Sequence, residues 1–325
     1  LIIFPSLCAV DAVREKFFPH SPDIAIDGRA MVGLSAPEIV EIATSAGCLI
    51  GPAHAFTPWT SLYKEFNSLT DCYRDMRDRV SFLELGLSAD SDMADRIAEL
   101  QDITFLSCSD AHSPWPDKLG REFNRMELLE PTFEEVKMAI LRKDGRHISL
   151  NVGFDPRLGK YHRTACSRCF TQYSLEKAKS LRWRCEKCGG WIKKGVWDRV
   201  NELASYPEPR HPPHRPEYFR VVPLAEIIGL SKGGIDPHEE EVQAIWRRLV
   251  ARFGSEISVM VNASLEELKD VAGDSLAEII KAFREGSLKV VAGGGGKYGH
   301  VELPGMPEVR GGIQKKLTEF WENEG

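Results

Sequence analysis

Four cysteines carry the plainest chemistry in this sequence. Cys166 and Cys169 form one CxxC pair, fifteen residues follow, and Cys185 and Cys188 form a second. Two such pairs at this separation offer four thiolates to one tetrahedral zinc, each pair on its own tight turn. A structural Zn2+ is therefore expected at Cys166, Cys169, Cys185 and Cys188. The surroundings are basic and aromatic. Between 157 and 199 stand twelve Lys and Arg against three Asp and Glu, a net of +9 in a chain whose total is −6. A surplus of that size marks a segment built to meet a polyanion. Arg163, Arg168, Arg182, Trp183, Arg184, Lys193 and Lys194 are the expected contacts. The aromatic rings there either stack on bases or form the segment's own small core.

A second set of chemistry-bearing residues lies upstream, at the ends of short apolar runs. His54 follows Gly51-Pro52-Ala53, Asp110-Ala111-His112 follows residues 105–109, and Glu84 sits within 82–86. In sheets of alternating strands and helices, chemistry collects on the loops after the strands. An Asp-x-His pair at such a place can turn both side chains toward one ion. His54 is either a third ligand from a neighbouring strand or a packed histidine. Glu84 is either a functional carboxylate or one held by nearby backbone amides.

The elements that must position these residues follow from the apolar pattern. Strands are expected over 1–4, 48–52, 80–85, 103–108 and 147–152, with helices over 36–45, 61–77, 92–100 and 132–141. Pro37 stands at the first position of one helix, where its missing N–H costs nothing. This alternation argues an α/β class with a parallel sheet and crossover helices, open or closed into a barrel. Residues 113–129 read as a long irregular loop. Residues 205–217, with five prolines from 207 to 216, read as an extended, solvated linker that also holds His211 and His214. Beyond it the chain turns helical. An apolar stripe runs from Val242 to Phe253, a capping box opens at Ser264 with Glu267, and another helix covers 274–283.

A strand over 287–291 then leads into Gly293 to Gly299. This stretch is not a phosphate-binding P-loop, because Tyr298 stands where Ser or Thr is required and Val291 where the first Gly belongs. Its glycines allow close approach to another backbone, either a neighbouring strand or a DNA phosphate, with Lys297 and Tyr298 as the contacts. At the end of the chain, Gln314, Leu317, Phe320 and Trp321 have the spacing of a sliding-clamp-binding box, three apolar plugs on one helical turn. Docking of that turn on its own domain is the other reading, and its place at the chain end favours the clamp.

Composition excludes several classes. No apolar run reaches the roughly 18 to 20 residues of a membrane span. The opening Leu1-Ile2-Ile3-Phe4 lacks a basic n-region and reads as a strand entered partway. Cys8, Cys48, Cys72 and Cys108 follow no pairing pattern, which fits a reducing, cytoplasmic setting better than a disulfide framework. A monomer is expected.

The residues 85–90 (Leu-Gly-Leu-Ser-Ala-Asp), 109–114 (Ser-Asp-Ala-His-Ser-Pro), 159–166 (Gly-Lys-Tyr-His-x-x-Ala-Cys), the CxxC pairs, 223–228 and 293–299 occur in one order. Together they closely resemble endonuclease Q. The resemblance implies a polymerase-and-histidinol-phosphatase (PHP) domain over 1–156, a zinc module over 157–200, a linker over 201–217, a helical DNA-binding domain over 218–309, and a tail over 310–325. It implies a DNA-repair endonuclease that nicks 5′ to hypoxanthine, uracil or an abasic site by metal-dependent hydrolysis. The PHP fold is a distorted α/β barrel around catalytic Mg2+, Mn2+ or Zn2+ ions. His54 matches the late histidine of its third motif, and Asp110 with His112 matches the fourth. Glu84 joins them as a candidate catalytic residue. The family's first two motifs have no counterpart in the sequence, so an N-terminally truncated barrel with an incomplete metal site is expected, inactive by itself. Two rival expectations are a small-molecule PHP phosphatase acting on a phosphomonoester and a non-catalytic, zinc-dependent DNA-binding module.

Overall fold

The computed structural model describes residues 1–26, 30–112, 115 and 121–302. The chain divides into two compact units. Among the described residues, the first comprises those of 1–112, 122–156 and 194–220; the second comprises Trp115, Arg121, 157–193 and 221–302.

The first unit begins with β1 (Ile2–Ile3), α1 (Leu7–Phe17), α2 (Ala36–Ser45) and β2 (Leu49–Ile50). It continues with α3 (Leu62–Glu65), α4 (Leu69–Tyr73), β3 (Phe82–Glu84), α5 (Ser91–Ala94), β4 (Thr104–Leu106), β5 (Phe123–Glu127), α6 (Phe133–Leu141) and β6 (His147–Phe154). The expected strands are all present, most of them shorter than anticipated. β3 and β4 pair in parallel, with Leu83 opposite Phe105, while β1 and β2 pair antiparallel. β5 and β6 pair antiparallel, and β9 (Glu217–Val221) completes their three-stranded sheet.

Burial explains why these strands read as continuous apolar runs. Ile50, Leu83 and Phe105 pack into one core with Val40, Tyr63, Leu69 and Leu100. Their chain neighbours Leu49, Phe82 and Leu106 pack into another with Ile140 and Ile148. Successive side chains point to opposite faces of a strand, and here both faces are covered, so apolar residues follow one another directly, with Glu84 and Thr104 as buried polar exceptions.

Three helical expectations required correction. The segment 61–77 is not one helix. Phe66 is extended and ends α3, and Ser68 starts α4 by accepting the Asp71 N–H at 2.9 Å. Residues 74–79 then form a 3-10 turn. The segment 92–100 likewise breaks after α5, which Asp90 caps through the Met93 N–H at 2.9 Å. α1, with Ser6 as its cap, falls where no element was expected. Within 113–129, β5 replaces the expected loop, its Arg125 and Glu127 outward.

The Pro-rich segment is largely open to solvent, as anticipated, with no residue buried as a whole from 205 to 217, but two of its side chains reach a buried carboxylate. Asp95 has no exposed surface, and it receives Arg215 at 2.9 Å and His211 Nδ1 at 2.7 Å. Arg215 also donates to the Ile103 and Leu100 carbonyls at 2.8 and 3.0 Å, with its guanidinium 3.4 Å from the centre of the Phe105 ring. Proline removes backbone donors, and the side chains between the prolines supply the bonds instead. α8 (Val196–Leu203) buries Val196 and Val200 in the first core.

In the second unit, β7 (Ala165–Cys166) and β8 (Ile192–Lys193) pair antiparallel, with α7 (Leu175–Ser180) between them in sequence. Its helical part comprises α9 (Leu224–Ser231), α10 (Glu240–Phe253), α11 (Leu265–Ala272) and α12 (Asp274–Arg284). The four pack on one another through buried Leu224, Ile228, Val242, Leu249, Leu268, Leu276 and Ile280. Ser264 caps α11 from Glu267 N–H at 3.2 Å and donates back to its carboxylate at 3.0 Å. β10 (Lys289–Val291) and β11 (His300–Glu302) form an antiparallel pair around the glycine-rich stretch. The mixed α/β composition with a four-cysteine module is the expected class.

Candidate metal sites and nucleic-acid surface

The two CxxC turns have the same construction. Phe170 N–H bonds the Cys166 carbonyl at 3.0 Å, and Gly189 N–H bonds the Cys185 carbonyl at 2.8 Å. The Sγ atoms of all four cysteines lie within 4.8 Å of one another. Cys166 and Cys188 are 3.5 Å apart, as are Cys169 and Cys185. Four sulfurs about 2.3 Å from one zinc stand about 3.8 Å from each other in a tetrahedron, so the donors fit that ion. The Thr171 hydroxyl, 3.3 Å away, draws the Cys169 thiol down to about 6. The Tyr173 hydroxyl, at 3.0 Å, lowers Cys185 in the same sense. One thiol of each turn is thus drawn toward thiolate, the form a metal takes, while Cys188, against the Gly190 amide, is pushed up to about 12 by burial and the neighbouring thiols.

Gly293, Gly294 and Gly295 meet backbone of the same chain. A Cβ on Gly295, at φ +68, would stand 2.3 Å from the Cys166 carbonyl oxygen, and one on Gly294 would stand 2.6 Å from that of Arg163. Arg163 N–H bonds Gly293 O at 2.9 Å. Of the two readings of this stretch, approach to a neighbouring backbone is the one observed. A cleft of about 240 Å³ lies between the ribbon and the glycine-rich loop, lined by Phe170, Thr171, Gln172, Lys297 and Tyr298 among others.

The expected DNA contacts divide. Arg163, Arg168, Arg182, Arg184 and Lys297 are exposed, and Lys193 is half-buried in β8. Trp183 packs on the cluster of Cys166, Ala178, Cys185 and Ile192, as the module's core. Tyr298 is half-buried, and burial pushes its hydroxyl up to about 12. Lys194 belongs to the first unit, where it pairs with Glu202 at 2.8 Å. Trp191, one of the ribbon's aromatic rings but not among the expected contacts, is 53% exposed.

At the strand ends of the first unit the assembly is partial. Asp110 Oδ1 and His112 Nε2 lie 3.3 Å apart, both side chains open to solvent. Asp110 and His54 have positive φ, +45 and +32, a backbone state that functional loops retain at a cost. The His54 Nδ1 is buried with no hydrogen-bond partner. Glu84, 3% exposed, accepts the His54 N–H and, at 2.8 Å, the Gly86 N–H. Burial raises its pKa, against those two amides. A Cβ on Gly86, at φ +69, would stand 2.8 Å from the His54 Cβ. Gly86 therefore helps to set the His54 loop, a role the sequence pattern did not disclose. Among the described residues, only the cysteines bring three or more His, Cys, Asp or Glu ligand atoms within 4.8 Å. His54, Glu84, Asp110 and His112 do not form such a group. Gln314, Leu317, Phe320 and Trp321 lie outside the described residues.

Comparison with known proteins identifies the assembly. Residues 223–287 match the family model of the MJ0043 C-terminal domain. The uncharacterized protein MJ0043 of Methanocaldococcus jannaschii is 48% identical over 271 residues, 81% of this chain and 33% of that protein. The uncharacterized protein YqxK of Bacillus subtilis is 38% identical over 259 residues, 79% of this chain and 61% of that protein. The chain thus spans about a third and about three fifths of these curated relatives. The crystal structure of the lesion-specific endonuclease PfuEndoQ from Pyrococcus furiosus superposes with a TM-score of 0.87 at 50% identity, covering 98% of this chain and 78% of that one. A second endonuclease Q structure, in complex with a 27-mer duplex substrate with an abasic lesion at the active site, gives 0.88 at 50% identity over 97% and 78%. Identity of that order, sustained along nearly the whole chain and over more than two thirds of the solved structures, means that this chain belongs to the endonuclease Q family.

Proposed function

We propose that the protein carrying this chain is a DNA-repair endonuclease that hydrolyses the phosphodiester 5′ to a lesion, at abasic sites and at the deaminated bases hypoxanthine and uracil. The observation that carries the reading is the 50% identity, over 97% of the chain, to an endonuclease Q solved on a duplex with an abasic lesion at its active site. Divalent cations (Mg2+, Mn2+ or Zn2+) at the strand ends would supply Lewis acidity and a hydroxide at neutral pH. Asp110, His112 and His54 are the side chains that would hold them, and Glu84 positions His54 through its backbone N–H. The Cys166, Cys169, Cys185 and Cys188 site would hold a structural Zn2+ and take no part in the chemistry.

DNA would be gripped by the exposed cations of the ribbon and by Lys297. A lesion inside a duplex is readable only once it leaves the stack, and the cleft between ribbon and glycine-rich loop offers aromatic and polar walls for that task. Residues 314–321 would add a sliding-clamp contact, testable by co-purification with and without Phe320→Ala and Trp321→Ala.

The decisive test is nicking of an abasic-site duplex against a matched intact duplex in Mg2+, Mn2+ or Zn2+. It is run with this chain and with one extended to the length of the endonuclease Q it matches. The longer protein should nick at the lesion, and Asp110→Asn should abolish nicking while leaving DNA binding. Undiminished cleavage by that variant would remove Asp110 from the machinery. Hydrolysis of histidinol phosphate without nicking would favour the phosphatase reading.

A further inference from the structure

The zinc ribbon turns one tryptophan to solvent. Trp191 is 53% exposed, although an indole normally finds more cover than that. It follows Cys188-Gly189-Gly190, and its backbone is tied down. Ser167 donates its N–H and its hydroxyl to the Trp191 carbonyl at 2.8 and 3.0 Å. Arg184 pairs with Trp191 in an antiparallel bridge, and its guanidinium lies 3.4 Å from the ring centre. The ring is thus fixed at the backbone, covered by a cation on one side, and half open to solvent. Arg168, exposed, is tethered beside it through the Cys188 carbonyl at 3.1 Å. Between 157 and 193 stand ten Lys and Arg against two Asp and Glu.

We propose that Trp191, backed by Arg184, is a stacking platform for an unpaired nucleobase, so that the ribbon prefers single-stranded or locally unpaired DNA over intact duplex. The proposal rests on the DNA-binding reading above and adds a residue and a ligand form to it. A rigid indole with an open surface accepts any base, since every base has a π-face, and the cation behind it adds attraction for an anionic strand. Bases within an intact duplex are stacked on each other and offer the ring nothing. A base that has lost its partner does.

The test is fluorescence anisotropy with a labelled oligothymidylate and an intact duplex of equal length, on the parent chain and on Trp191→Ala, Trp191→Phe and Trp191→Leu. Zinc content and circular dichroism serve as folding controls. Trp191→Ala should weaken single-strand binding about tenfold and duplex binding by about twofold or less. The salt slope should be unchanged, because no phosphate contact is lost. Trp191→Phe should keep most of the affinity and Trp191→Leu should lose it, a contrast that decides the matter even if the alanine variant folds poorly. Single-strand affinity unaffected by Trp191→Ala, or equal loss on both DNAs, would overturn the stacking role alone. A parent chain that binds neither DNA would remove the DNA reading together with it.

Discussion

The cysteine site and the strand-end site are built in opposite ways. The first draws four ligands from 23 consecutive residues, and all four sulfurs stand within 4.8 Å. Its geometry is local, because each turn is closed by its own backbone bonds and a short antiparallel pair holds the two turns together. The second draws His54 and the Asp110–His112 pair from loops after two different strands and Glu84 from the end of β3, and its direct contacts are Asp110 with His112 and the His54 N–H with Glu84. A site of the first kind needs a metal to hold a segment with few apolar residues. A site of the second kind needs the core beneath it, here Leu83, Leu85 and Phe105, to be in place first.

Metal removal should expose that difference most strongly. Binding free energy of structural zinc is folding free energy, about 10 kcal/mol or more in small zinc modules. Cys185→Ser, or a strong chelator, should therefore melt the ribbon, with loss of near one metal ion per chain and a changed emission from Trp183. The transition of the first unit should stay in place. A ribbon that keeps its fold without metal would erase the contrast.

The first unit has its own dependence on a distant ion pair. Asp95 has no exposed surface and Arg215 only 1%. Asp95→Ala would leave a buried guanidinium unpaired, at a cost of about 3–5 kcal/mol. A fall in the midpoint of urea unfolding measures it. Limited proteolysis within 205–216 should accelerate in parallel, because His211 and Arg215 both lose the carboxylate they share. Unchanged cleavage there would show that the prolines alone keep the segment in place.

Glycine substitutions give a smaller and paired comparison. Gly295→Ala places a Cβ 2.3 Å from a carbonyl oxygen in the cysteine ribbon, and Gly86→Ala places one 2.8 Å from His54 Cβ at the strand ends, both at positive φ. Each should cost about 1–3 kcal/mol. Gly295→Ala should be the worse of the two, because its contact is shorter and with backbone. Equal loss would mean that the His54 loop is as stiff as the ribbon.

What could be read in the sequence follows the same division. The CxxC spacing, the helix start at Pro37, the Ser264 cap and the apolar runs were legible because their partners are near neighbours in the chain. β5 was hidden because Phe123–Glu127 alternates with outward charges and carries no apolar run. α1 was hidden because Leu7 is 84% exposed and its buried face is narrow, Ala9 and Val13. Asp95 and Arg215 are 120 residues apart, and nothing local to either announces the pair. Trp183 and Trp191 looked alike in composition. Only the fold separates the ring that fills the cysteine core from the one that faces water.

The smallest expected effect concerns Glu84 and has a definite sign. Burial holds its folded pKa above the ordinary carboxylate value, with the His54 and Gly86 amides opposing. Below the unfolded value both states carry the proton and stability does not depend on this group. As pH rises past that value the unfolded chain releases its proton while the folded chain retains it. Unfolding then releases a proton, so the group's contribution falls with rising pH until the folded carboxyl also ionises, and is level above. Glu84→Gln removes the titration. Relative to the parent, the variant's unfolding free energy should therefore climb with pH from the usual carboxylate range upward and then flatten. Urea denaturation at a series of pH values between about 4 and 8 gives the curve. A relative stability that falls with pH would mean that the two amides outweigh burial, and that Glu84 is held as a carboxylate at the strand ends.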